Sequence, residues 1–334
     1  MNKTSDSAAV LICNSNMFVP YVLSEVLNHQ EGKYVIMSDL ENIIQFLSKI
    51  KLSNADVLKY NHSSCTTIFS SRRKLMNLTN HYKIDKIIFF HTEFGGIINW
   101  FLQEKSKQCE IFYCRVYNSM PFSKAHGIRA LKYYLKERLL YGVDMDILVE
   151  KPRLLPSLPE SFFKKIGALP YSIEIDNNKI KKQISDVVTG AIEKAKVVLL
   201  TGATVQHGLV TETEYIAKTN ALIEAIKKHN CVAKCHPHFN DVYGKERELT
   251  NIPSYIPGNL IIDNFEIFIG NHSTLLVEAA LAGKVAISLL DYYEQDSKQV
   301  ENLKSFLADR LQNRGVIHYP KSTEEILALI KEYL

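Results

Sequence analysis

The chain has 334 residues, more than one hydrophobic core usually fills, so two domains are expected. Its 46% hydrophobic and 23% charged residues are ordinary globular values. The net charge of +4 is too mild to argue for nucleic acid, and it suits phosphorylated substrates or an anionic membrane surface equally well. The six cysteines are scattered without a CxxC pair and read as reduced and buried. The polar start Met1-Asn2-Lys3-Thr4-Ser5-Asp6-Ser7 does not read as a signal peptide. No apolar run approaches the ~20 residues that span a bilayer. The expected location is the cytoplasm, with peripheral contact at the inner membrane face.

In chain order, residues 8–13 form an apolar strand, followed by the polar turn Asn14-Ser15-Asn16 and a helix over 19–27. A strand at 34–37 and a helix at 40–50 follow. This alternation predicts a parallel sheet with crossover helices. There is no GxGxxG after the first strand, so a dinucleotide fingerprint is absent. The apolar run 84–90 ends in His91-Thr92-Glu93-Phe94-Gly95-Gly96, then a helix over 97–104. Glu93 therefore falls at the carboxyl edge of the sheet, where open α/β sheets hold ligands. A strand at 110–117, a loop carrying Lys124, His126, Gly127 and Arg129, a helix over 129–141 and a short strand at 147–149 complete this half.

Residues 151–175 hold Pro152, Pro156, Pro159 and Pro170 around Phe162-Phe163-Lys164-Lys165, and read as an interdomain linker. The Phe-Phe-Lys-Lys patch is a candidate for touching a membrane or an acceptor, or for packing across the domain seam. The second half repeats the strand and helix alternation: a helix at 180–195, strands at 197–200, 231–234, 260–262, 267–269, 285–289 and 316–317, and helices at 215–228, 300–311 and 323–334. Thr211-Glu212-Thr213-Glu214 matches a capping box ahead of the helix at 215. The expected fold is α/β, with two Rossmann-like domains facing across a cleft, the GT-B architecture. An acceptor-side domain spans 1–150, the linker 151–175 and a donor domain 176–334.

Two stretches in the second half carry the chemistry. In Lys234-Cys235-His236-Pro237-His238, His236 stands at a strand end, where its ring can contact a phosphate and neutralise it as it leaves. Pro237 fixes the turn that holds the ring. Lys234 alternates with His236 and is expected to point the same way. In Gly270-Asn271-His272-Ser273-Thr274, the hydroxyls of Ser273 and Thr274 open a helix at its positive end, which suits a phosphate. Glu278 follows about one turn later, within reach of ribose hydroxyls. Thr201 and Gly202 begin the small, polar loop 201–210 beside them. Each feature alone also fits an ordinary turn or helix cap. No further partner at ligand spacing accompanies His236 and His238, so no metal site is expected.

The conjunction of His236-Pro237 with Ser273-Thr274 over residues 196–290 resembles the donor half of bacterial lipooligosaccharide sialyltransferases and polysialyltransferases. The resemblance implies a metal-independent, inverting GT-B enzyme that needs no cofactor and takes a CMP-activated sugar. It implies that His236 contacts or protonates the CMP phosphate, that Ser273 and Thr274 bind it, and that the 201–210 loop lies beside the donor. These families carry a paired acidic motif before a glycine in the first half. Here the nearest match, Glu93-Phe94-Gly95, has one acid.

An inverting transfer needs a base for the acceptor hydroxyl. Glu93 is the first candidate, with Glu212 and Glu214 as rivals and His91, His126 and His207 behind them. Lys124 and Arg129 are candidates for binding an anionic acceptor or the donor carboxylate. The expected partners are a nucleotide-sugar donor and a glycan or glycolipid acceptor, with no nucleic acid. Two other readings remain open. One is a GT-B enzyme with a CMP-Kdo, UDP-sugar or CDP-alcohol donor, or a UDP-sugar epimerase. The other is a non-catalytic module that binds a glycan or a partner protein.

Overall fold

The computed structural model describes residues 7–61, 68–90, 96–114, 131, 135–143, 147–150, 153–156, 159–192, 194–202, 204–206, 208–236, 245–293 and 297–334. The chain divides into two compact units, Met1–Lys182 and Gln183–Leu334.

The first unit is built on strands β1 (Ser7–Ile12), β2 (Lys33–Ser38), β3 (Ala55–Lys59), β4 (Lys83–Phe90), β5 (Glu110–Cys114) and β8 (Leu169–Pro170). They lie side by side in the order β3-β2-β1-β4-β5-β8, every pair parallel. Helices α1 (Val19–Asn28), α2 (Glu41–Ile50), α3 (Ile68–Thr79) and α4 (Gly96–Lys105) are the crossovers. The order reverses between β1 and β4, as in a Rossmann sheet. β1, β2 and the carboxyl half of β4 are buried on both faces, so they read as continuous apolar runs.

The proline-rich stretch belongs to this unit. β6 (Ile147–Glu150) and β7 (Arg153–Pro156) pair as an antiparallel hairpin, helix α5 (Pro159–Lys165) follows, and β8 becomes the sixth strand of the sheet. Phe162 and Phe163 are 1% and 2% exposed. The Phe163 ring stacks on Tyr113 at 4.3 Å and meets Phe89 edge-on at 5.2 Å. The aromatic pair is therefore core, not a surface that touches a membrane or an acceptor. Only Lys164 and Lys165 face solvent. The physical reason is the helical turn, which sends the two rings inward and the two lysines outward.

The second unit repeats the plan. Strands β9 (Val197–Leu200), β10 (Cys231–Lys234), β11 (Thr250–Ile252), β12 (Ile267–Gly270), β13 (Val285–Ser288) and β14 (Ile317–His318) form one parallel sheet ordered β11-β10-β9-β12-β13-β14. Its helices are α6 (Asn177–Ile192), which begins in the first unit, α7 (Glu212–Ile226), α8 (Thr274–Leu281), α9 (Ser297–Leu311) and α10 (Thr323–Tyr333). The reversal falls between β9 and β12. Gly270 permits it: a Cβ there would sit 3.0 Å from the Leu200 Cβ. The apolar run Leu260-Ile261-Ile262, expected as a strand, lies instead in a 3-10 helix over Gly258–Asn264 that buries Ile261.

Phe162→Ala should lower the stability of the first unit by about 3–5 kcal/mol, and Lys164→Ala by less than about 0.5 kcal/mol. Urea unfolding followed by circular dichroism measures both. A small effect of Phe162→Ala would return the aromatic pair to the surface.

Candidate functional site

The central strands of the second sheet end at a common carboxyl edge, and a line of hydrogen bonds ties their loops together. Behind β9, the Thr201 amide donates to the Lys234 carbonyl at 3.1 Å. The Thr201 hydroxyl accepts the backbone N–H of His236 at 3.2 Å. The β9 and β10 ends are thus locked, and the half-buried His236 is held at the strand end where the sequence places it. Thr201 itself is 5% exposed, so its side chain serves the His236 loop. Gly202 follows it in a half-buried position.

Across the switch point, Asn271 Nδ2 donates to Thr204 Oγ1 at 3.1 Å. The Ser288 hydroxyl at the end of β13 donates to the Asn271 carbonyl at 2.6 Å. Thr204, Ser288 and Asn271 are buried, Asn271 to 4% exposure. The amide oxygen Oδ1 of Asn271 is buried and accepts no hydrogen bond among the described residues. An orphaned buried acceptor of this kind costs about 1–3 kcal/mol unless something donates to it. It lies immediately before α8, at the topological switch point where open α/β sheets bind ligands.

Ser273 is the N-cap of α8, its Oγ accepting the Leu275 amide at 3.2 Å. Thr274 opens the helix, and its hydroxyl makes no hydrogen bond among the described residues. His272 is half-buried between Asn271 and the cap. The positive end of α8 is thus presented at the sheet edge. One turn on, Glu278 is half-buried as a residue, but burial around its carboxyl pushes it up to about 7, offset in part by Arg310 of α9. Lys234 does not join His236. It is 6% exposed, its Nζ donates to the Cys235 carbonyl at 3.1 Å, and burial lowers it to about 8.

Glu212 and Glu214 lie in the first turn of α7, where Thr211 is the N-cap and accepts the Glu214 amide at 3.3 Å. The Glu214 carboxylate faces Lys218 at 3.7 Å. These contacts serve the helix start. Glu93, Lys124, Arg129, Pro237, His91, His126, His207 and His238 lie outside the described residues. Among the described residues no group of three or more His, Cys, Asp or Glu side chains comes together as a metal site.

Three groups escaped sequence reasoning. Thr204 and Ser288 are unremarkable hydroxyls in the sequence, and only their bonds to Asn271 mark them. The third is Glu137, in a π-helical turn at Lys136–Leu140. It is 1% exposed, accepts Asn99 Nδ2 from the first turn of α4 at 3.2 Å, and is pushed up to about 7 by burial. A lone Glu among Lys136, Arg138 and leucines gives no sign of burial.

No protein-family model matches the chain, and no curated protein sequence matches it. Among solved structures, the wall teichoic acid polymerase TagF, in a form soaked with CDPG, aligns at TM-score 0.53 with 9% identity over 98% of this chain and 80% of that one. The fold is GT-B. The glycotransferase of kitacinnamycin aligns at TM-score 0.48 with 10% identity, over 98% of this chain and 90% of that one. The UDP-GlcNAc 2-epimerase of Neisseria meningitidis, bound to UDP-GlcNAc, aligns at 0.45 with 12% identity, over 98% and 99%.

The raised Glu278 carboxyl sets a pH test. Its neutral form is favoured in the fold, so its contribution is fully present below the unfolded value near 4.5 and is lost as pH rises through about 7. Glu278→Gln should match the parent chain at acid pH and exceed it by up to about 3 kcal/mol above pH 8. Chemical unfolding at the two pH values measures this, and a difference that does not change with pH would contradict it.

Proposed function

We propose that the chain is an inverting, metal-independent glycosyltransferase that moves a sugar, sialic acid by its motif resemblance, from a CMP-activated donor to a surface glycan acceptor. The observation that carries this reading is the buried Asn271 Oδ1 at the β9–β12 switch point, which accepts no hydrogen bond among the described residues, beside the start of α8. That oxygen calls for an O–H or N–H donor, such as a sugar or ribose hydroxyl. The helix start calls for an anion. A nucleotide sugar supplies both within one molecule.

In this reading the donor phosphate lies against Ser273, Thr274 and the α8 amides, flanked by Asn271 and His272. Thr201 and Gly202 shape the wall beside His236. Glu278 takes the ribose hydroxyls. The acceptor oxygen attacks the anomeric carbon, the bond from that carbon to the phosphate oxygen breaks, and CMP leaves with the electron pair. His236 donates a hydrogen bond or proton to the departing phosphate. Attack opposite the leaving group inverts the anomeric centre. Glu93 takes the acceptor's proton, with Glu214 as its rival, and Lys124 and Arg129 bind the acceptor. A glycan or glycolipid made at the inner membrane face is the acceptor class this scheme needs.

A second reading keeps the fold and changes the donor. The CDPG soak of the polymerase that shares the fold motivates a cytidine diphosphate donor in place of a CMP-sugar.

Thermal shift against CMP, CDP, UDP and GDP separates the readings, because a ligand that binds only the folded chain raises its melting temperature. CMP should give the largest shift, and Asn271→Ala should weaken CMP binding about tenfold. A larger shift with UDP would sink the CMP reading, and a larger shift with CDP would favour the second. Turnover that survives Glu93→Gln but not His236→Ala would assign the base elsewhere. No turnover with any CMP-sugar would favour a binding module.

A further inference from the structure

The first unit leaves several large apolar side chains outside its core. Leu131, Leu135 and Leu139 recur at four-residue intervals and are 42%, 41% and 75% exposed. Phe69 of α3 is 79% exposed. Arg72 of α3 joins these elements. Its Nη2 donates to the Leu140 carbonyl at 3.1 Å, and its guanidinium carbon lies 5.0 Å from the Trp100 ring and 6.0 Å from the Phe69 ring. Phe69 and Leu139 therefore stand on adjacent elements pinned to each other.

Among the described residues the charges around these side chains are mostly positive; one acid, Glu104 of α4, acts on Arg72 and pairs with Lys107 at 3.2 Å. Arg73 and Lys74 are exposed on α3, which contains no acid. Lys136 and Arg138 are exposed on the π-helical turn, and its one acid, Glu137, is buried. Single exposed apolar side chains are normal, but a group of large ones rimmed by cations marks an interaction face. We propose that this face docks on an anionic phospholipid surface, with Phe69 and the leucines entering the boundary between headgroups and acyl chains and the Lys and Arg rim meeting lipid phosphates.

The chemistry favours lipid over the other occupants. A second copy of the chain would bring the same cationic rim against itself. A nucleic acid would pair with the rim and leave the leucines in water. An anionic bilayer satisfies both parts at once, since apolar insertion and attraction to anionic lipid add. The inference is independent of which donor the second unit binds.

Sedimentation of the full chain with vesicles tests it. We expect binding to phosphatidylcholine vesicles that contain phosphatidylglycerol, little binding to phosphatidylcholine alone, and weakening at high salt. Phe69→Ser combined with Leu139→Ser should lower the affinity at least about tenfold. Lys136→Gln combined with Arg138→Gln should lower it about fivefold per charge removed. All four side chains are exposed, so the melting temperature should not change. Failure to sediment with phosphatidylglycerol vesicles would overturn the proposal, as would binding untouched by both double variants. So would a concentration-dependent dimer that Leu139→Ser breaks, which would assign the face to a second copy.

Discussion

The hydrogen bond from Asn271 to Thr204 joins the two loops that flank the switch point of the second sheet, and the geometry of the site depends on it. Asn271 is held twice more, by the Ser288 hydroxyl on its carbonyl and by the helix that starts three residues later. With its NH2 group committed to Thr204, the amide oxygen is fixed in direction. A buried acceptor to which nothing among the described residues donates destabilises the fold, and in the proposed function a ligand donor relieves that cost. Three residues before Thr204 in the same loop, the Thr201 hydroxyl accepts the backbone N–H of His236. The histidine and the helix start, far apart in sequence, are thereby parts of one edge.

Much of the fold could be read in advance, for reasons of burial. β9 and β10 are buried at every position, so their apolar runs mark them residue for residue. β3 and β11 were not read, because as edge strands they are half exposed and carry no such run. Helix α3 buries only Ile68, Leu75 and Thr79, too few to print a helical period. Leu260-Ile261-Ile262 shows the opposite error, since a short apolar run does not distinguish a strand from a tight turn that buries one residue.

The site was legible to the same degree. Strand-end position singled out His236 and Ser273, and the structure puts both at the carboxyl edge of one sheet. Ser273 proves to be engaged as the helix cap, so the proposed anion contact falls to the helix amides and Thr274. Thr204 and Ser288 could not be found from sequence, because a hydroxyl acquires meaning only from the partner that long-range folding brings to it. Lys234, expected to point with His236, and Phe162-Phe163, a candidate either for surface contact or for packing, are both drawn inward by packing. For Lys234 the enclosed position shows in its 6% exposure, and that burial lowers its pKa to about 8.

The central claim is that the β9–β12 edge is a nucleotide site. The most direct measurement is a crystal structure of the chain soaked with CMP. The account predicts nucleotide density at the start of α8, with Asn271 Oδ1 accepting a hydrogen bond from the ligand and His236 beside the phosphate. Nucleotide bound at the β1–β4 edge of the first sheet, or a bound nucleotide that leaves Asn271 Oδ1 without a donor, would contradict it.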